Sequence, residues 1–511
     1  MLLIRSSTAP IATLALLLLA RSASAATLQV GPGQTYTTPC AAIAAASAGD
    51  EIDIAAGTYT ESCNISTAGL HLKGVGGRPV IDVTGLTLQN MKGIYAIEAD
   101  DVIIENLELT GAQIPSSQGE NGAGLRIQSS GVIVTNCYIH DNQNGILSGP
   151  ITAGTGTQTI DHTEFSHNSL GSGCTDGNGC THNLYIGHYA RLVFQFNYTH
   201  DAGSDSGHLF KSRALESDIL YNRITGEMGT DSYEVDLPNG GIGILIGNAI
   251  EKGPSSGNGG AVLQYGEEGL GTGTNTLYLA NNTFVNDFAS STTFVNLAAG
   301  GTLGAAHDNI FSGMGTPSST GALSADNMSG VDPMFVDAAT YDYHLMASSP
   351  AIGKGVAEGL AGSFPLTPVF EYVDPVSDVP RLTAKDLGAF EYGTNVTNPS
   401  MDGGAESPDG AVFAGSSGGS GSGGGSGGGS GGSSGGGTGG GSGSGSGGAD
   451  SGSGSSSGGD AGSNDATSSS HDSGGCGCAT AGREGAGIGS LGLGAALALL
   501  GLRRRRYRAT G

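Results

Sequence analysis

From Val102 to Gly313 the chain is a succession of short apolar runs with period-two alternation, such as Val132-Ile133-Val134 and Asp218-Ile219-Leu220, each flanked by polar residues. Alternation of this kind marks strands; a helical repeat would place apolar residues at 3.6-residue spacing. Each run ends at a bend where Asn recurs: Asn106, Asn136, Asn197, Asn222, Asn248, Asn282 and Asn309, with His162 in the Asn position of Ile160-Asp161-His162-Thr163. A period near 25–30 residues, with insertions in only some copies, is the mark of a solenoid. Asn suits the bend because it tolerates left-handed backbone, and its amide can bond to the same turn in the next coil. The pattern therefore predicts a parallel β-helix, an all-β solenoid.

At the N-terminal end of the repeats, Pro39-Cys40-Ala41-Ala42-Ile43-Ala44-Ala45-Ala46 is the one clear helix-forming run, ending by Gly49. A short helix there would cover the first coil, whose strand edges would otherwise be open to pairing with other chains. Before it, Arg5, the apolar run from Ile11 to Ala20 and Ala23-Ser24-Ala25 read as a cleaved signal peptide over residues 1–25. Export permits disulfides. Cys40–Cys63 would tie the cap to the first coil, Cys174–Cys180 would close the loop between them, and Cys137 reads as a small buried residue in a strand. Without CxxC pairs a structural zinc site is not expected.

Composition divides the rest of the chain. Gly accounts for 94 of the 511 residues, and residues 394–475 are mostly Gly and Ser without an apolar run. Such a tract cannot bury enough surface to offset its ordering entropy and reads as a disordered linker. Behind it, over 476–511, stand Cys476-Gly477-Cys478, an apolar segment from Ala486 to Leu502, and Arg503-Arg504-Arg505-Arg506, a stop-transfer arrangement with its Arg side cytoplasmic. The formal net charge is −26. That excess excludes charge-driven binding to nucleic acid or to an anionic membrane, leaving the tail as the expected membrane contact. It also fits a monomer whose sheet edges repel one another. A polyanionic ligand would be repelled on average, so any site for one must be locally basic.

The Ala-rich helix followed by Gly49-Asp50 and Gly57-Thr58-Tyr59 resembles the N-terminal cap of secreted right-handed β-helix proteins of the pectate-lyase-like superfamily. Asp332-Pro333-Met334-Phe335, Tyr341-Asp342-Tyr343-His344-Leu345 and Ser349-Pro350-Ala351-Ile352 resemble the closing segment of such proteins, and Arg381 through Asp386-Leu387-Gly388-Ala389-Phe390-Glu391 their final strand. The resemblance implies a right-handed β-helix over 26–330 with a closing segment over 331–393. The C-terminal tail resembles the MYXO-CTERM sorting signal of myxobacterial surface proteins. That implies display at the cell surface after processing by export and tail-sorting machinery, with Cys476, Cys478 and Arg503 to Arg506 as the signal.

Candidate chemistry concentrates where basic residues do. Gly207-His208-Leu209-Phe210-Lys211-Ser212-Arg213 stands out in an acidic chain, and seven of its eleven His fall between Tyr138 and Phe210. Counting back from the bend residues stacks Ile186 on Lys211. It also stacks Ser232 to Pro238 on the Lys211 strand, provided that the following Asn-Gly-Gly turn is one residue longer. Lys211 and Arg213 then share one face, and Glu234 and Asp236 lie outward one coil on, about 4.8 Å away. One reading is an exposed ladder of ion pairs that fixes register. Another follows from the Lys-Ser strand, which resembles that of chondroitinase-B/alginate-lyase-like β-helix lyases. The resemblance implies Lys211 as the base, with Arg213 and His208 beside it, and Glu234 or Asp236 as Ca²⁺ ligands, for β-elimination on a uronic-acid polymer. Those lyases carry an Arg on the following coil, where this chain has Glu-Val-Asp-Leu-Pro. A glycoside hydrolase would pair Asp201 or Asp205 with Glu234 or Asp236. A non-catalytic polysaccharide binder would use His182, Tyr185, His188 and Tyr265 as its sugar platform.

Overall fold

The computed structural model describes residues 25–394, apart from 151, 170–180, 204–206 and 322. The expected signal peptide up to residue 24, the expected Cys174–Cys180 pairing, Asp205 and the expected linker and sorting tail beyond 394 lie outside the described residues.

The chain winds through three long parallel sheets, visiting each once per coil. The first has eleven strands, from Thr27–Val30 to Thr302–His307; the second has eleven, from Thr58–Tyr59 to Met328–Ser329; the third has ten, from Cys63–Ile65 to Gly315–Ser318. This is the right-handed parallel β-helix that the alternation and the cap predict. The alternating apolar residues point inward and stack coil upon coil. In the first sheet Ile104, Val134, Ile160, Phe194, Ile219, Leu245 and Leu279 are in register and buried. Full burial of each such side chain stabilises the fold by roughly 1.5–3 kcal/mol.

The helix Pro39–Ala45 forms as expected, with Thr38 accepting a hydrogen bond from the Ala41 N–H at its start. Ala42 and Ile43 pack into the core beside the first strands, and Cys40 is bonded to Cys63. Cys137 is a buried free thiol.

The Asn rule divides in two. Asn106 and Asn136 do occupy the left-handed bend (φ 56° and 51°), and His162 takes that place one coil on (φ 46°). In the later coils the left-handed residue is the one before the Asn: Phe196, Tyr221, Gly247, Asn281 and Asp308. At Gly247 a Cβ would stand 2.6 Å from the Tyr221 ring, so only glycine fits above that tyrosine. Asn197, Asn222, Asn248, Asn282 and Asn309 instead point inward as a buried ladder. The Asn248 Oδ1, for example, accepts from the backbone N–H and the Nδ2 of Asn222, both at 2.9 Å, while the Asn222 Nδ2 also donates to the Phe194 carbonyl at 2.9 Å. In this way each amide offsets its own burial.

After the last coil the chain folds back. Three antiparallel hairpins, Phe335–Asp337 with Asp342–Leu345, Leu360–Ala361 with Phe364–Pro365, and Phe370–Val373 with Ser377–Pro380, lie against the outside of the helix. Phe335, Tyr343, Leu345, Leu387 and Phe390 pack on Ala249, Val285 and Ile310 of the second sheet. Leu366 and Phe370 pack on Phe196, Tyr221 and Ile246. The stretch from Arg381 to Glu391, expected as a final strand, is irregular. The buried Arg381 guanidinium binds its carbonyls instead, at Asp386, Gly388 and Ala389.

Candidate functional site

The closing segment packs on the second sheet and, at Ile244, Ile246 and Ala280, on the first; the site develops on the outward face of the third. There the register aligns Arg126, Leu147, Tyr185, Lys211, Asp236, Gln264 and Asn296 in one outward row. Lys211 stands on Asp236, as counted from the sequence. It stands on Tyr185 rather than Ile186, because the turn after the Leu184–Ile186 strand is one residue longer than counting allows. This shift returns Leu184 and Ile186 to the core, where both are buried.

Lys211 and Arg213 do converge, on a residue that counting missed. The Lys211 Nζ lies 2.8 Å from the Asp236 Oδ2 and 3.0 Å from the Glu268 Oε1. The Arg213 Nη2 donates to the other oxygen of Glu268 at 2.5 Å. The remaining Arg213 nitrogens donate to the Tyr185 hydroxyl (2.7 Å) and the Asn239 Oδ1 (2.5 Å), and the guanidinium stands 5.6 Å over the Tyr185 ring. Burial works against the charge on Lys211, but Asp236 and Glu268 outweigh it and hold the ammonium above its ordinary range. Burial pushes Asp236 up to about 7 against the pull of Lys211. Glu268 is held below the ordinary carboxylate range, its own desolvation outweighed by Lys211 and Arg213. The signal for Glu268 was Gly266-Glu267-Glu268-Gly269, an acidic turn directly after a strand, but no spacing rule tells which way such a turn folds.

His182 and His208 stack at 4.8 Å one coil apart, with Tyr233 tilted 5.2 Å beyond His208. The His182 Nδ1 accepts from the His208 backbone N–H (3.0 Å), and the His208 Nδ1 from that of Tyr233 (3.3 Å). Those bonds place each ring proton on Nε2, and the His208 Nε2 faces Asp236 at 3.4 Å. Burial, reinforced by nearby cations, pulls both rings well below their usual range. They are neutral donors, and neither offers the open face a basic nitrogen.

His188 is exposed and joins Arg213 and Asn239 in the wall of a cleft of about 350 Å³, which the loop Gly269 to Asn275 also lines. Two expected members are elsewhere. Tyr265 points into the core, fully buried, its hydroxyl donating to the Gly241 carbonyl at 2.5 Å, so it cannot be a sugar platform. Glu234 does not share the face of Asp236: it is buried in a corner of the coil, 3.0 Å from the Lys252 Nζ. Glu234 and Asp236 therefore do not meet as a Ca²⁺ cage, and Glu234, buried against Lys252, is not open to a substrate as a hydrolase partner of Asp201. At the open face the Asp236 and Glu268 oxygens already hold the Lys211 ammonium, so the residues present do not fit a resident Ca²⁺. Asp201 is likewise committed elsewhere, to His200 (2.7 Å) and to the Met228 N–H (3.0 Å) on the second sheet. His200, Asp201 and Glu227 bring metal-ligand atoms within 4.8 Å of one another. Both nitrogens of His200 already face carboxylates, Asp201 and Glu164, which outweigh burial and raise the ring to about 9, so a proton fills the position a metal would take.

Comparison with known proteins agrees with the architecture. The family model described as "Right handed beta helix region" matches residues 68–316. The match agrees with the right-handed parallel β-helix fold of residues 25–394. Among solved structures it resembles the crystal structure of pectate lyase Pel9A, with a TM-score of 0.50 and 15% identity over 72% of this chain and 96% of that one. A pectin methylesterase, PemA from Erwinia chrysanthemi, aligns with a TM-score of 0.30 and 14% identity over 46% of this chain and 81% of that one. No curated protein matches the sequence. At these identities the likeness is one of fold.

Proposed function

We propose that this protein is an exported, surface-tethered β-helix that binds an acidic, uronate-bearing polysaccharide on the open face of its third sheet. The observation that carries the reading is the clamp: the Lys211 ammonium and the Arg213 guanidinium take one oxygen each of a single carboxylate, at 3.0 and 2.5 Å. Two cations grouped this way in a chain of net charge −26 make a carboxylate-shaped site where the surroundings would repel an anion. Tyr185 beneath Arg213 adds an aromatic surface, while His182 and His208, both buried, accept from backbone N–H groups of the neighbouring coil and face no ligand. The N-terminal signal pattern, the Gly/Ser tract and the Cys-Gly-Cys tail support export and tethering.

β-Elimination is the second reading, favoured by the presence of a lysine, Lys211, within the clamp itself. It requires Lys211 to give up its proton before it can act as base, and its two carboxylates oppose that. The test is titration of the purified protein with polygalacturonate, alginate and glycosaminoglycans, with and without Ca²⁺, while absorbance near ~235 nm is followed for unsaturated product. Binding that weakens with salt and is lost in Arg213→Ala is the expected result. Equal binding of neutral and acidic polymers would overturn it. Product formation abolished by Lys211→Ala would establish elimination.

A further inference from the structure

The clamp, as it stands, is already filled. Lys211 and Arg213 face Asp236 and Glu268, so the group is close to neutral, and an incoming carboxylate would find both cations engaged. The two carboxylates differ in kind. Asp236 is fully buried on a strand and cannot leave. Glu268 keeps about 36% of its side chain exposed and sits on a turn between Gly266 and Gly269, both at positive φ. The same loop runs on through Leu270, which packs toward the core, and lines the 350 Å³ cleft. Arg213 belongs to both places: one nitrogen holds Glu268, another holds Asn239 at the mouth of the cleft, and His188 lies beyond.

We infer that Glu268 is a displaceable stand-in for the ligand's carboxylate, and that the cleft walled by His188, Arg213, Asn239 and the 269–275 loop receives the uronate ring that displaces it. This rests on the proposed binding of acidic polysaccharide and adds where the sugar sits and what must leave. The Glu268 side chain swings out to solvent, the uronate carboxylate takes its two bonds, and the ring enters the cleft beside Asn239 and His188. The internal carboxylate also sets specificity. A neutral sugar offers nothing to replace the two charge-assisted bonds it would break, whereas a uronate replaces both.

Calorimetric titration of the purified protein with trigalacturonate, and with its methyl ester as the uncharged control, tests this. Glu268→Gln is expected to tighten trigalacturonate binding about tenfold, equivalent to removing one internal competitor. Glu267→Gln makes the same change in net charge, but Glu267 accepts from the Tyr233 hydroxyl at 3.1 Å rather than from the cations. It is expected to change binding by less than about twofold, the long-range screened effect alone. His188→Ala should weaken the tightened binding of the Glu268→Gln protein several-fold. Equal gains in the two Gln variants, or weaker binding in Glu268→Gln with unchanged melting temperature, would overturn the stand-in while leaving the binding face intact. Binding that survives Arg213→Ala would overturn the binding face itself, and the stand-in with it.

Discussion

The outward faces of the second and third sheets carry similar chemistry and put it to different ends. On the second, Tyr138-Ile139-His140-Asp141 and Tyr198-Thr199-His200-Asp201 repeat the same motif, each His ring stacked about 4 Å from its Tyr. Each ring is clamped between two carboxylates, Asp141 and Glu108 for His140, Asp201 and Glu164 for His200. Beside them Arg223 lies over the Tyr198 ring and bonds Glu227 (2.7 Å) and Asp374 (2.9 Å), the latter contributed by the closing segment. On the third sheet Arg213 likewise lies over a tyrosine and bonds a carboxylate, but that carboxylate is partly exposed. The same triplet of Arg, Tyr and acid is a rivet where a roof covers it and a candidate binding site where none does.

The largest effect that could break this contrast is on the roofed side. Removing Arg223 leaves Glu227 and Asp374 as buried unpaired charges, so Arg223→Ala is expected to cost about 3–5 kcal/mol in urea unfolding. A loss below about 1 kcal/mol would mean that the roof is not held this way.

The histidines of the two faces sharpen the contrast through pH. Burial opposes the charge on His140 and His200, but their carboxylates raise both rings to about 9 from an ordinary 6.5. Their stabilisation is therefore complete below about pH 6.5 and is lost as pH rises toward about 9. His182 and His208 are held neutral by burial, so they weaken the fold as pH falls below about 6.5, when the unfolded chain takes up protons that the folded one refuses. Melting temperature between pH 5 and 10 should fall on both sides. His200→Gln should flatten the alkaline arm alone; flattening of the acid arm by that substitution would contradict the assignment.

Smaller effects follow. Tyr265→Phe forfeits one buried hydrogen bond, about 1 kcal/mol, and should leave polysaccharide binding unchanged. Arg213→Ala should cost about 1 kcal/mol or less of stability, because its carboxylate partner is partly exposed, while removing binding. A large stability loss there would make the third-sheet face another rivet.

Much of the fold was legible because strand alternation and coil length are local and repeat seven or more times. The Lys211–Asp236 neighbourhood followed from the same count. Two errors share one cause. Tyr185 rather than Ile186 lies beside Lys211 because a turn holds one extra residue, and in a period-two strand one residue exchanges the faces. The bend and ladder roles of Asn likewise differ by one position, and both suit the same side chain.

By itself the sequence determined the solenoid, its cap, the Cys40–Cys63 bond and the strand bearing Lys211 and Arg213, since each depends on residues close in the chain or on a repeat. Tertiary structure alone decided that Glu234 turns inward to Lys252, that Glu268 folds back onto the clamp, and that the closing segment covers the second sheet rather than the third. Those outcomes depend on which carboxylate can be desolvated beside which cation, and on which apolar patch a distant segment can bury, and neither quantity is written in any local stretch of the chain.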